Sequence, residues 1–434
     1  LSRLASGFKL SGVTAFQAAT LFRQGSGVLI AILLAQSALS AAGIGQYEQL
    51  LYLGTLLTSF WVTGLAQSLL AEHPRLPAEQ QQAFLCGTYL IFLALGGILA
   101  LLLWWGRPWL LPPLVGQPEL GQLGWFLLFL WLNLPFFLLE NFYLLWERPR
   151  ELFWVSALAH GLQVPAMLLP VYWGWGLEGA LKGLVALGVL RHLWLLAALL
   201  RFGWSLPAYE PLRRWLRNGF PLVLYALVGA LSVSFDSWLV NWHYEGDPDT
   251  FAIFRYGARE FPLATALAGA FSSAMLPGLS KDVSGTLPRL RARSLRLYHL
   301  LFPITFLLMA SSDWWFPRLF SPAFAASAPL FNAFLMTTLS RLVFSRTVLI
   351  GLGANRAVFY FSLLELGFNI ALGFALVPHF GLLGVAWATV LAYTLDKVLL
   401  GYYLYRRYGI RPGAYTPLGW LAGYGLVLVG GYLM

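Results

Sequence analysis

Apolar residues run along the chain in blocks of twenty or so, separated by short clusters of charge, glycine and proline. A helix needs about 20 mostly apolar residues to cross a bilayer. Thirteen segments meet that requirement: 14–38, 47–71, 83–106, 120–146, 151–172, 177–201, 217–242, 251–279, 293–312, 329–352, 357–378, 382–405 and 417–433. The connections between them are short and leave no room for an inserted soluble domain. The pattern predicts an all-α polytopic membrane protein.

Composition agrees. Of the 434 residues, 59% are hydrophobic and 11% charged, where soluble proteins have roughly 45–50% and 25%. So few charges cannot cover a water-exposed surface, and so much apolar material excludes disorder. Arg3 and Lys9 precede the first apolar run, as in a signal peptide, but that run is too long for an h-region and contains Arg23. It therefore reads as a retained span. Cys86 is the single cysteine, so no internal disulfide and no cysteine metal cluster can form.

The net charge of +10 would suggest nucleic acid in a soluble protein. Here it reads as topology. With the N-terminus inside, eighteen Lys and Arg residues fall in inner segments, and outer loops hold only Arg107 and Arg318, with Glu245, Asp247 and Asp249 outside as well. Inner loops carry the positive excess in membrane proteins, so the expectation is a cytoplasmic N-terminus in a cell's inner membrane and no nucleic-acid partner. Tryptophans such as Trp104, Trp105, Trp173 and Trp314 gather at predicted outer ends as an interfacial belt.

An internal repeat organises the spans. Gly176-Leu177-Glu178-Gly179-Ala180 opens span six, and Gly381-Leu382-Leu383-Gly384-Val385 opens span twelve, 205 positions later. Tyr47 and Phe251, opening spans two and eight, keep nearly that offset, as do Arg150 and Arg356. Six spans per copy make the copies parallel, related by an axis along the membrane normal. The expected organisation is an N-terminal six-helix lobe (1–203), an interfacial linker (204–216), a C-terminal six-helix lobe (217–410) and one extra span (411–434). Twelve core spans would surround a central cleft, and rocking of the lobes would give alternating access. Pro207, Pro211, Arg213, Arg214 and Trp215 make the linker either an amphipathic surface segment or a plain solvated connector.

Charges within spans are costly, so they mark cavities or partners. Arg255 and Arg259 are four apart on predicted span eight and would share one helix face, an arrangement suited to a multi-oxygen anion such as diphosphate. Arg23 on span one and Arg341 on span ten are further cavity candidates, with Glu365 an alternative structural partner for Arg341. Glu260 lies on a different face from the Arg255–Arg259 pair. Glu140 and Arg346 hold equivalent repeat positions and are expected to snorkel or to pair between the halves. Asp236 and Glu365 are candidates for ion coupling, Asp236 alternatively pairing with Arg255 or Arg259. Asp396 and Lys397 look locally compensated. No metal-ligand spacing and no phosphate-binding G-x-x-x-x-G-K-[ST] motif occurs, so neither a metal, a cofactor nor ATP hydrolysis is expected.

The stretch Gly381-Leu382-Leu383-Gly384-Val385-Ala386-Trp387-Ala388-Thr389, leading to Tyr405-Arg406-Arg407-Tyr408-Gly409, resembles the polysaccharide-transporter branch of the multidrug/oligosaccharidyl-lipid/polysaccharide exporter superfamily. Gly45-Gln46-Tyr47 through Gly64-Leu65 is similar to it too. The resemblance implies a flippase moving a polyprenyl-diphosphate-linked oligosaccharide from the inner to the outer leaflet; membrane lipids are expected around it, and H+ or Na+ are the candidate ions for the coupling acids. It also implies, by span, a cationic cavity role for Arg23, Arg255 and Arg259. The related lipid II flippases carry an arginine on span two, where this chain has Glu48, and have fourteen spans. A multidrug or organic-cation antiporter of the same fold is the alternative. A membrane glycosyltransferase or ligase is disfavoured because the longest outer loop, 313–328, is short.

Overall fold

The computed structural model describes residues 11–259 and 261–433. Arg3, Lys9 and Glu260, invoked above, lie outside the described residues. Among the described residues the regular elements are all helical. Eleven helical segments are long and apolar enough to span a membrane, and a twelfth if one bent pair counts as a single span. The protein is a multi-pass membrane protein.

The chain packs as two compact units, one comprising the described residues up to 234 with 245–249, the other 235–244 with 250–433. The first is built from α1 (Gly12–Ala35), α2 (Ala41–Glu72), α3 (Ala78–Val115), α4 (Leu123–Asn133), α5 (Phe137–Leu145), α6 (Pro149–Tyr172), α7 (Gly176–Arg201) and most of α8 (Tyr209–His243). Expected span four is two helices, α4 and α5. Pro135 at their junction has no N–H to donate and cannot sit in a helix interior without breaking its ladder. The core of this unit gathers Leu69, Phe84, Phe92, Phe142 and Trp215.

Ser11 and Ser40 start α1 and α2, each side chain accepting a backbone N–H of the first turn. Between α6 and α7 the backbones nearly touch: a Cβ on Gly183 would lie 1.9 Å from the Ala166 carbonyl oxygen. The acidic loop is fastened to this unit by Gln49, whose Nε2 donates to the Gly246 carbonyl at 2.8 Å. Gly246 sits at φ 73°, a left-handed conformation that glycine adopts without strain.

The expected linker 204–216 is only partly a connector. Helix α8 begins at Tyr209, and Trp215 is fully buried. Its indole N–H donates to the Leu65 carbonyl, and Ser68 Oγ donates to the Trp215 carbonyl. Arg214 and Arg75 both reach Glu72. The linker is therefore anchored to the end of α2, and the division between units falls further along, inside α8.

The second unit holds the end of α8, then α9 (Pro248–Gly257, from Thr250 on), α10 (Pro262–Lys281), α11 (Val283–Ala310), α12 (Ser312–Phe320), α13 (Ser327–Leu335), α14 (Thr337–Arg341), α15 (Ser345–Gly351), α16 (Asn355–Phe380), α17 (Leu382–Tyr408), α18 (Pro412–Tyr415) and α19 (Leu418–Leu433). Two expected spans are interrupted. Span eight stops at Gly257 and resumes at Pro262; a residue preceding proline is disfavoured in helical geometry, so Phe261 is extended. Span ten is divided into α13, α14 and α15. The break after α14 leaves the Leu342 carbonyl to be capped by the hydroxyl of buried Tyr298 at 3.2 Å. The segment expected as the outer loop 313–328 is largely helical: α12 turns away from α11 by 78°. Expected span thirteen is the 16-residue α19.

Candidate functional site

Each unit carries its own buried ionic cluster. In the first unit the hub is Glu140 on α5. Arg23 of α1 forms an ion pair with its Oε2. His160 Nε2 lies 3.2 Å from its Oε1, and Ser156 Oγ donates to the same oxygen at 3.3 Å. Nearby Arg191 on α7 is almost wholly buried. It donates to Asn133 Oδ1 and the Ala159 carbonyl, both at 2.7 Å, and to Gln163 Oε1 at 2.9 Å.

Arg23, a cavity candidate, has its charge matched by Glu140, while its side chain stays 42% exposed. Glu140 neither snorkels nor reaches for the other half; three neighbours on α1 and α6 hold it. Sequence reading missed His160 because a lone histidine in a span has no motif around it.

In the second unit the hub is Arg346 on α15. Its Nη2 donates to Glu365 Oε2 of α16 at 2.8 Å and to Asp396 Oδ2 of α17 at 3.2 Å. Lys397 Nζ donates to Asp396 Oδ2 at 2.8 Å, as the expected local compensation requires. Glu365 is bound by Arg346; the sequence offered Arg341 as an alternative partner for it. Arg341, the last residue of α14, stacks its guanidinium over Tyr393 at 5.5 Å from the ring centroid. The break between α14 and α15 sets Arg341 and Arg346 on the wall of one polar cavity of about 290 Å³, with Glu365, Tyr393 and Lys397.

Asp236, on α8, is held by residues one turn along α16 and two turns along α17 from that cluster. Its Oδ1 accepts from Asn369 Nδ2 at 2.9 Å and its Oδ2 from Thr389 Oγ1 at 2.5 Å. Asn369 is four residues beyond Glu365 on α16, and Thr389 is seven before Asp396 on α17. Polar groups thus form a seam through the middle of this unit.

The Arg255–Arg259 pair is arranged differently from expectation. Arg255 is on α9, with Nη1 3.4 Å from Ser237 Oγ. Arg259 lies beyond the end of α9, so the two do not stack one turn apart on a continuous helix. Arg259 packs its guanidinium 4.8 Å from the Tyr256 ring centroid. Tyr256 in turn stacks on Phe324 at 4.1 Å, and Gly257 packs so closely on α13 that a Cβ there would fall 2.5 Å from Leu330. The interruption is therefore a packed feature that sets a cation at a helix C-terminus, where the helix dipole favours positive charge.

No family model matches the sequence, and no curated protein matches it significantly. Solved structures do. The lipid II flippase MurJ in an inward closed conformation superposes with a TM-score of 0.70 at 16% identity, covering 96% of this chain and 97% of that one. An inward-facing multidrug resistance MATE transporter of the MOP superfamily gives 0.66 at 14% identity over 92% and 98%. A MOP superfamily transporter from Pyrococcus furiosus, described by a reversed polarity of its binding pocket, gives 0.56 at 14% over 92% and 96%. At these identities the likeness is one of fold alone: this chain folds like the MurJ and MATE structures.

Proposed function

We propose that the chain is a secondary transporter that flips a polyprenyl-diphosphate-linked oligosaccharide across the cytoplasmic membrane by alternating access, in the service of cell-surface polysaccharide synthesis. The observation that carries this reading is the interrupted span eight, with Arg255 before the break and Arg259 inside it. Transporters build substrate sites from discontinuous helices at membrane depth, and two guanidiniums at such a break match the charge and hydrogen-bonding needs of a diphosphate. The likeness in fold to a lipid II flippase supports the same class of cargo. Arg23, whose side chain keeps an open face beyond Glu140, is an additional contact for the anionic head, and Arg341 a further one.

Asp236 with Asn369 and Thr389 is the candidate coupling site, since carboxylate, amide and hydroxyl oxygens suit a hard cation or a proton. Glu365 is the second candidate, with its carboxylate held by Arg346. The test is reconstitution in liposomes with a fluorescent lipid-diphosphate saccharide, following leaflet exchange with and without imposed Na+ or H+ gradients. Arg255→Gln with Arg259→Gln should abolish exchange while the protein remains monodisperse; full exchange by that double variant rejects the assignment.

A multidrug or organic-cation antiporter is the second reading. The pairing of Arg23 with Glu140 favours it, because it lowers the positive potential that an anionic cargo needs. Gradient-driven efflux of an organic dye cation, with no exchange of lipid diphosphate, would select it.

A further inference from the structure

Two adjoining grooves run between α3 and α4 of the first unit, and their linings differ in chemistry. One, of about 410 Å³, is apolar, with Gly97, Ala100 and Leu101 of α3 against Leu127 and Trp131 of α4. The Trp131 indole N–H is taken up by the Leu93 carbonyl at 3.0 Å. The other, of about 530 Å³, carries charge: Arg107 of α3, Glu119 and Gln122 of the α3–α4 connection, and Trp125 line it. Trp104, Gly124 and Leu128 belong to both, so the two are continuous. Positions 97, 100, 101 and 104 lie on one face of α3. The apolar part therefore follows about 10 Å of that helix, and Arg107 stands one turn beyond it.

The two parts match the layers of a lipid leaflet. Trp104, Trp105 and Trp109 are exposed near the C-terminal end of α3, and tryptophans gather at headgroup level. From there the apolar groove runs back into the hydrophobic block. Arg107 and Glu119 line one pocket but form no ion pair with each other. Arg107 packs its guanidinium 4.4 Å from the Trp104 ring centroid, which orders it beside the pocket. Lys182, over Trp125, is paired with Glu178 at 2.7 Å and adds no net charge. Gln122 holds φ 63°, a left-handed conformation that non-glycine residues rarely adopt.

A ligand that fits brings an anion and a cation on one short head, and a chain. An anionic lipid sets like charge beside Glu119. A saccharide leaves the apolar groove without a partner. A choline head has no N–H for Glu119, and Trp104 and Trp125 each already hold a protein cation against the ring. A phosphoethanolamine head offers phosphate oxygens to the guanidinium and ammonium N–H donors to the carboxylate, both as charge-assisted hydrogen bonds. We propose that the α3–α4 groove is a binding site for phosphatidylethanolamine, with its phosphate on Arg107, its ammonium on Glu119 and an acyl chain in the apolar groove.

Lipid retention, not transport, is the readout, so this proposal and the flippase reading stand or fall separately. The full chain is placed in nanodiscs holding phosphatidylethanolamine, phosphatidylcholine and phosphatidylglycerol in equal parts with identical acyl chains. Native mass spectrometry of the released protein counts the lipids kept. The unaltered protein should keep phosphatidylethanolamine severalfold over the other two. Glu119→Gln should bring phosphatidylethanolamine and phosphatidylcholine to parity, and Glu119→Lys should turn the preference to phosphatidylglycerol. Arg107→Gln should weaken retention of all three, and Ala100→Phe, which fills the apolar groove, should do the same. Glu119 is exposed, and surface substitutions of this kind leave folding intact; thermal unfolding checks each variant. The proposal is overturned if the unaltered protein keeps the three lipids equally, or if folded Glu119→Gln and Glu119→Lys proteins keep the full phosphatidylethanolamine preference.

Discussion

Glu140 and Arg346 stand 206 positions apart, at matching places in the two halves, and each is the centre of a buried ionic cluster of opposite sign. The match extends outward. His160 beside Glu140 corresponds to Glu365 beside Arg346, and Arg191 corresponds to Asp396, both at an offset of 205. The breaks in spans four and ten fall within a few residues of each other in the repeat: Phe136, in the first, stands opposite Leu342, in the second. The repeat therefore conserves where charge is placed while inverting which charge is placed. At such depth a lone charge is costly and a pair tolerable, so either sign serves if its partner changes with it.

Glu140→Gln should loosen the first unit. It leaves Arg23 and His160 without their carboxylate. Removing one partner of a buried pair costs about 3–5 kcal/mol, and the partial exposure of Arg23 reduces this to about 1–3 kcal/mol. Cys86 is the only cysteine and is buried, so a thiol-reactive dye reports thermal unfolding in detergent. An unchanged melting curve would show the pair to be dispensable.

Arg346→Gln should be more damaging, because it removes the cation shared by Glu365 and Asp396. A loss of about 3 kcal/mol is expected. Adding Glu365→Gln should recover at least about 1 kcal/mol, since neighbours in one network are not additive. A double-mutant cycle by the same dye assay measures the coupling; strict additivity would mean the two groups do not interact.

Gly183→Ala should destabilise by about 1–3 kcal/mol, as an added Cβ would be driven into the Ala166 carbonyl. Gly161→Ala on α6 is the matched control. Nothing lies within 4 Å of its added methyl, and helix propensity favours alanine by about 1 kcal/mol. The two substitutions should move the melting temperature in opposite directions.

Asp282 caps α11, its Oδ1 accepting the Gly285 N–H at 3.0 Å and a bond from Ser284 Oγ at 2.8 Å. The Gly285 N–H, then the Ser284 hydroxyl, hold its carboxyl below the ordinary aspartate value. A depressed folded-state value means the cap contributes fully above the unfolded pKa of 3.8 and is lost as pH falls through the lower folded value. Amide exchange at the start of α11, corrected for the intrinsic pH dependence of exchange, should accelerate only at that acid extreme. In Asp282→Ala it should be severalfold faster at neutral pH; equal protection in both proteins would exclude the cap.

The sequence was most legible where physics is one-dimensional. Membrane thickness sets the length of an apolar block, so the cores of the expected spans lie within observed helical segments. The 205-residue repeat was visible because turn glycines such as Gly176 and Gly381, both at positive φ, are fixed by local geometry. It failed at Arg255 and Arg259, where a periodic apolar pattern runs straight through a break that Pro262 and the packing of Gly257 impose.

Partnership of charges was the other failure. Arg23 and Glu140 are 117 positions apart, Arg346 and Asp396 fifty. By itself the amino-acid order determined that the protein spans a membrane many times, that landmarks such as Gly176 and Gly381 recur at a fixed offset, and which charges fall inside apolar blocks. Only the tertiary structure decided which of those charges neutralise each other and which line a cavity. Hydrophobicity is a property of each residue and adds along a chain, whereas an ion pair depends on the distance between two side chains that folding alone brings together.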